Sequence, residues 1–262
     1  MTATLSLQIK CDVTAEYRPK VLVVSHERSG THFVMNSLAL NLDYVSSPWI
    51  NLDLELGINY HSSVAFESLV NRLSGKWIAN LLKSHHEFGF YADWLSKFRN
   101  EFKVIYMVRD ALPVLRSYHR FLQKTDWFEG PKIPDPSEFI RATPVGAMTR
   151  FQYQHAESIT HRWCNHVQSW IQGGPKLGDG TFLPVYYDDL NEDFEKTMQK
   201  IANFLGLPMS RKPVRPDRND KVVHPSPEPL EPMEGFTLTA SDLVFVENAT
   251  GSTYEMISRL NY

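Results

Sequence analysis

The segment that most restricts the fold lies near the start of the chain, where the apolar run Val21-Leu22-Val23-Val24 stops at Ser25 and a helical pattern begins at Thr31. A short run rich in β-branched residues reads as a buried strand. Phe33, Met35, Leu38 and Leu42 are among the apolar positions of the helix, which the pattern carries to about Leu42. Only a short loop containing Gly30 separates the two. Strand, glycine-bearing loop and helix in that order aim backbone N–H groups and a helix N-terminus at one point, the geometry of an anion cradle.

The same alternation continues. Strands are predicted at Ile78 to Leu82 and Lys103 to Val108, each ending in polar residues, Lys83-Ser84-His85-His86 and Arg109-Asp110. A further strand is predicted at Phe182 to Tyr187, and helices at 111–124, 156–172 and Phe194 to Leu205, the last closed by Gly206. Strands alternating with helices imply an α/β fold with a central, mostly parallel sheet flanked by helices. Ligands of such sheets sit beyond the carboxyl ends of the strands, so the polar tips should converge on one crevice. With 262 residues, 42% of them hydrophobic, the chain suits one core and a single domain over 1–262. The proline-rich stretches 122–154 and 208–232, the second of them basic, read as ordered surface loops or lids of that domain.

Composition narrows the partners. A formal net charge of -3 provides no overall basic field for nucleic acid or an acidic membrane, so any anion site must be local. The two cysteines, Cys11 and Cys164, do not form a disulfide framework. The first residues lack the apolar run of a signal peptide, and no window approaches the roughly 18 apolar residues of a membrane span. A soluble, cytoplasmic protein is the expectation. His161 and His166 are five residues apart, off a common helical face, and no metal site is predicted.

The loop Ser25-His26-Glu27-Arg28-Ser29-Gly30-Thr31-His32 lacks the second glycine and the Lys-Ser/Thr pair of a nucleoside triphosphate loop. It resembles instead the 5′-phosphosulfate loop of the sulfotransferases that use 3′-phosphoadenosine 5′-phosphosulfate (PAPS), written Pro-Lys/Arg-Ser-Gly-Thr-Thr, with Arg28-Ser29-Gly30-Thr31 matching. Val104-Ile105-Tyr106-Met107-Val108-Arg109, with Ser117 eight residues on, is similar to the 3′-phosphate motif of that family. An arginine at a strand tip and a serine in the next helix can grip one phosphate from two sides. Lys83-Ser84-His85 is similar to the family's Lys-Thr-His strand end. Weaker similarity continues through Arg162 to Trp170 and through Tyr186 to Leu190, so the resemblance covers roughly residues 20 to 207.

The resemblance implies a sulfotransferase fold close to the P-loop kinase type, with PAPS as sulfuryl donor, 3′-phosphoadenosine 5′-phosphate (PAP) as product, a small-molecule acceptor and no metal. It implies that Arg28, Ser29, Gly30, Thr31 and His32 hold the 5′ end of the donor, and Arg109 and Ser117 its 3′-phosphate. His85 would be the general base, assisted by Lys83 and Arg28, with His86 as the competing base. A specialised metabolite carrying a hydroxyl or amine is the expected acceptor, with Trp127, Phe128, Phe151 and Tyr153 as candidate pocket walls. Three departures stand out, one of them Arg28 in place of the lysine of the family's small-molecule cytosolic branch, although the wider family also uses arginine there. The family's C-terminal Arg-Lys-Gly-x-x-Gly-Asp-Trp motif is missing, and Arg211, Lys212, Arg215, Arg218 and Lys221 are the candidate substitutes, with Arg218 and Lys221 assigned to the donor. Glu27 stands where the family commonly has proline, a negative charge beside a proposed anion site unless its side chain turns away. A nucleotide-dependent kinase of related fold and a non-catalytic nucleotide-binding module are the competing readings.

Overall fold

The computed structural model describes residues 18–44, 81–95, 102–124, 129–217 and 235–260. Four strands form one parallel sheet: β1 (Lys20–Ser25), β2 (Leu81–Ser84), β3 (Phe102–Val108) and β4 (Phe182–Tyr186), in the order β2-β1-β3-β4. The helices are α1 (Thr31–Leu42), α2 (Ala92–Leu95), α3 (Ala111–Lys124), α4 (Pro136–Arg141), α5 (Ile159–Gly173), α6 (Tyr187–Glu192), α7 (Phe194–Leu205) and α8 (Ala240–Ser258).

Alternation along the strands divides the core into two faces. Leu22, Val24, Leu82, Val104, Tyr106 and Val108 pack against Ala111 and Val114 of α3 and Trp163, Val167 and Trp170 of α5. Val21, Val23, Leu81, Ile105, Met107 and Val185 pack against Val34, Met35 and Leu38 of α1 and Met198, Ile201 and Leu205 of α7. A smaller cluster joins Leu115, Tyr118 and Leu122 of α3 to Phe139 and Ile140 of α4 and Val246 of α8. The fold is therefore the expected α/β sheet with helices on both sides.

Strand order marks where a crevice is to be sought. The chain passes from β1 to β2 on one side and then crosses to β3 on the other, so the switch in direction falls between β1 and β3. That is where an open parallel sheet leaves a cleft at its carboxyl edge. The loops after β1 and β3 carry Arg28 and Arg109.

Besides one-residue shifts at β3 and β4 and a start of α5 at Ile159 rather than 156, three elements differ from the expectation. The strand predicted from Ile78 to Leu82 continues to Ser84, because Val23 pairs with Lys83 and Val24 with Ser84; residues 78–80 lie outside the described residues. Lys83 and Ser84 are thus strand residues and His85 is the first residue beyond the tip. The stretch 122–154, read as a loop, contains α4, started by Asp135, whose side chain accepts the Glu138 N–H, and by Pro136 in the first turn. The C-terminal helix α8 was not anticipated.

Cys164 is buried, its thiol donating to the Ala249 carbonyl, and burial pushes its pKa up to about 11. Cys11 lies outside the described residues. Among the described residues, no helix is long and apolar enough to cross a membrane.

Candidate functional site

The loop after β1 begins with a turn in which the Ser29 N–H donates to the His26 carbonyl at 3.2 Å. Arg28, the third residue of this turn, has a φ of 67°, whereas Glu27 is not among the residues of positive φ. Turns of this class favour proline at the second position, which is Glu27 here. Gly30 follows at φ 97° and caps α1; a β-carbon there would stand 2.6 Å from the Tyr187 ring, so no side chain fits. The N-terminus of α1 has no side-chain cap from its N-cap residue Gly30 and no acidic residue in its first turn, so its positive dipole end faces the loop without a local counter-charge. Thr31 Oγ1 lies 2.5 Å from Ser25 Oγ, which joins the helix start to the strand end. Ser29 is buried and His32 half-buried.

Cations converge over this loop. Arg28 Nε donates to Ser117 Oγ at 3.1 Å, and Arg109 Nη1 donates to the Arg28 carbonyl at 3.1 Å. The Arg28 guanidinium sits 5.1 Å from the Phe121 ring centroid, and that of Arg109 sits 4.2 Å from the Tyr187 ring centroid. Arg120, one helical turn past Ser117 on α3, adds a third positive charge. Burial and then the charges of Arg109 and Arg120 lower the pKa of Arg28. Among the described residues neither Arg28 nor Arg109 has a carboxylate within ion-pair distance. Like charges gathered at a half-buried spot, without acidic counterparts for two of them, suit a polyanion.

His85 Nδ1 lies 2.8 Å from the Ser25 carbonyl. A carbonyl only accepts, so Nδ1 carries the proton and Nε2 is the basic nitrogen of the neutral ring. His85 is 9% exposed and its ring lies 5.7 Å from that of Phe151. His86 is fully buried, with Nδ1 3.0 Å from Ser84 Oγ and its ring against Phe90, Tyr91 and Phe151. Both histidines are buried; His85 stands just past the tip of β2 and keeps the little exposure there is, while His86 has none. Lys83 is half-buried on β2.

Both loops are gripped by α5. Arg162 Nη2 donates to Glu27 Oε1 at 2.7 Å, and Arg162 Nη1 donates to His26 Nε2 at 2.8 Å. The Tyr118 hydroxyl donates to the same Glu27 oxygen at 3.1 Å. One turn on, His166 Nε2 donates to the His85 carbonyl at 3.1 Å while its Nδ1 lies 3.0 Å from the Tyr106 hydroxyl. A turn further, Trp170 Nε1 donates to the His86 carbonyl at 2.9 Å. Trp163 Nε1 donates to the Arg109 carbonyl at 3.2 Å. The spacing 162, 166, 170 is the helical period that lines side chains along one face.

The Glu27 side chain thus turns away from the cation cluster into the core. Burial pushes its carboxyl up, but the adjacent Arg162, with His26 and His85, outweighs this and holds it well below the usual range. His26 is lowered to about 4, by burial first, with Arg162 adding to that and Glu27 opposing it. His166 is lowered well below its ordinary value, chiefly by burial. His166 is accordingly a core residue.

Beyond His86, the Glu87 N–H donates to the Phe151 carbonyl, and Glu87 Oε2 accepts the N–H groups of Tyr153 and Gln154 at 3.0 and 3.1 Å. Burial raises the Glu87 carboxyl despite those bonds. Phe151 is buried and Tyr153 is 53% exposed; Trp127 and Phe128 lie outside the described residues. Of the five basic residues of the 211–221 stretch, Arg211 donates to the Leu40 carbonyl, Lys212 pairs with Glu195, and Arg215 donates to Asn191 and stands over Phe33. Arg218 and Lys221 lie outside the described residues.

The structure thus brings Arg28, Ser29, Gly30, Thr31, Arg109 and Ser117 together, with His85 anchored on the same loop through Ser25. Sequence reasoning missed Arg120, Tyr187 and the Glu27–Arg162 pair. Arg120 had a signal, its three-residue spacing from Ser117 on a helix; the buried pair, 135 positions apart, had none.

A profile described as the sulfotransferase domain matches residues 18–226. A human protein named sulfotransferase 2B1 is 22% identical over 193 residues, 73% of this chain and 47% of that protein. The mouse sulfotransferase SULT7A1, crystallised with PAP, is 21% identical at a TM-score of 0.50, over 76% of this chain and 63% of that one. A sulfotransferase of Alicyclobacillus acidocaldarius is 11% identical at a TM-score of 0.53, over 93% of this chain and 97% of that one. The chain spans about half the length of the first of these and under two thirds of the second.

Proposed function

The chain belongs to the sulfotransferase domain family, and from that premise we propose that it transfers the sulfuryl group of PAPS to a hydroxyl or amine of a small-molecule acceptor. The observation that carries this reading is the joining of Arg28, Ser117 and Arg109 beneath the uncapped N-terminus of α1. The donor carries negative charge at both its 5′ and 3′ ends, and this cluster offers two arginines, a hydroxyl and helix amides, with no carboxylate at ion-pair distance from either arginine among the described residues. Neighbours of similar fold that were crystallised with PAP agree with it.

In this reading Ser29, Gly30, Thr31 and His32 line the 5′ end with backbone and side-chain donors, Arg109 and Ser117 take the 3′-phosphate, and Arg218 and Lys221 close over it. The donor supplies an activated sulfuryl group with PAP as leaving group. His85 Nε2 receives the proton of the acceptor hydroxyl as the new O–S bond forms and the bond from sulfur to the PAP oxygen breaks. Lys83 and Arg28 balance the charge that gathers on the sulfuryl and departing oxygens. Phe151 and Tyr153 are the proposed walls of the acceptor pocket, and a hydroxylated specialised metabolite is the proposed acceptor class.

Calorimetric titration with PAP, and separately with ATP and magnesium, tests the donor. Tight PAP binding without an ATP response is expected; the reverse would discard the reading in favour of a kinase. For the base, His85→Ala should keep PAP affinity while transfer falls at least about 100-fold, the scale of a lost general base. Equal turnover in that variant would remove His85 from the role.

A further inference from the structure

We infer that the buried Glu27–Arg162 pair is a positioning device for the donor loop, taking the place of the proline that commonly stiffens this loop in the family; the inference rests on the donor reading given above. The turn from His26 to Ser29 needs a positive φ at Arg28, a conformation that a non-glycine residue adopts only when its surroundings hold it there. A proline at the second position would bias the turn toward that form by fixing its own φ. Glu27 cannot do so through its backbone.

It does so through its side chain. Glu27 Oε1 is held by Arg162 at 2.7 Å and by the Tyr118 hydroxyl at 3.1 Å, from two different helices. Arg162 is 1% exposed and is fixed in turn by the Met148 carbonyl and by His26, whose Nδ1 donates to the Glu27 carbonyl at 2.9 Å. The second residue of the turn is therefore tied at both side chain and backbone, with no bond reaching outward to the cation cluster. Fixing Glu27 fixes the next residue, Arg28, in the orientation that places its Nε on Ser117. Among the described residues, the Glu27 and Arg162 side chains bond to each other, His26, Tyr118 and Met148, not to Arg28, Arg109 or Ser117, so the pair acts through the backbone of Arg28.

The test is PAP affinity of folded protein, measured calorimetrically in Glu27→Gln, Arg162→Met and the double variant Glu27→Pro with Arg162→Met, at a temperature below every melting transition. The single variants should bind PAP at least about tenfold more weakly than wild type. The double variant, which restores the stiff turn and leaves no buried charge unmatched, should return to within about threefold. His85-dependent turnover at saturating donor should change far less than donor KM. Single variants that are folded and bind PAP like wild type would overturn the inference. Should the single variants fail to fold, a folded double variant that does not bind PAP would overturn it equally. Absence of PAP binding in wild type would instead strike the donor reading itself.

Discussion

At the residue scale, the site depends on a few backbone positions as much as on its charges. Gly30 combines a φ of 97° with a Tyr187 ring 2.6 Å from where a β-carbon would be. Gly30→Ala is therefore expected to lose PAP affinity at least about tenfold and to cost roughly 1–2 kcal/mol of stability from the left-handed backbone alone; calorimetry and urea denaturation read the two separately, and an unchanged variant would show that the ring swings aside freely. The residues matched to the family's motifs were legible because each motif is local, with Arg28, Arg109 and Ser117 keeping fixed spacings. The charge of Glu27 was legible only as a conflict with the anion site. Its resolution needed Arg162, which no periodicity connects to it. Removing one member of such a buried pair typically costs about 3–5 kcal/mol, so Glu27 and Arg162 matter to folding as well as to the loop.

At the element scale, strands and helices with strong apolar patterns were read well, and α1, α3 and α7 have the bounds their periodicity predicts. The helix α8 was missed for a physical reason. Its inner face carries Thr250 and Thr253, both buried, and only Val246 among its apolar residues is fully buried, so no apolar stripe marks it. Its start was signalled, since Thr239 and Asp242 form a capping box by exchanging bonds between side chains and backbone. The far end of α8 reaches the site, where the Tyr254 hydroxyl accepts the Ala111 N–H at 3.0 Å at the start of α3. Tyr254→Phe leaves that amide without its acceptor and should cost about 1 kcal/mol, with a lower melting temperature and little change in turnover. A large loss of turnover at unchanged stability would mean that the hydroxyl takes part in the reaction.

At the scale of the whole molecule, two buried neutral histidines make stability depend on acidity. His26 titrates at about 4 in the folded chain against 6.5 when free, and His166 is lowered as well. Between those values the unfolded chain binds protons that the folded chain does not, so stability is full above pH 6.5 and declines as pH falls toward 4. Each histidine contributes a slope of up to about 1.4 kcal/mol per pH unit. The depressed Glu27 carboxyl acts in the same direction, its contribution being lost below the ordinary carboxylate range. Urea denaturation at pH 7.5, 6.0 and 5.0 should show this fall, and His166→Gln should make it shallower; a flat profile would mean that these rings open to water before the fold does.

The grip of α5 on the loops has a consequence for how variants of this protein can be read. Trp163, His166 and Trp170 hold carbonyl oxygens, those of Arg109, His85 and His86. A carbonyl is the same group whatever side chain its residue bears, so this hold is indifferent to the identity of the side chains at positions 85, 86 and 109. Replacing His85 or Arg109 removes a functional group and leaves its backbone mooring intact. A kinetic loss in such a variant then reflects the missing side chain, its own bond to the Ser25 or Arg28 carbonyl included, and not a release from α5, and groups of a different kind can be introduced at these positions with the hold of α5 in place.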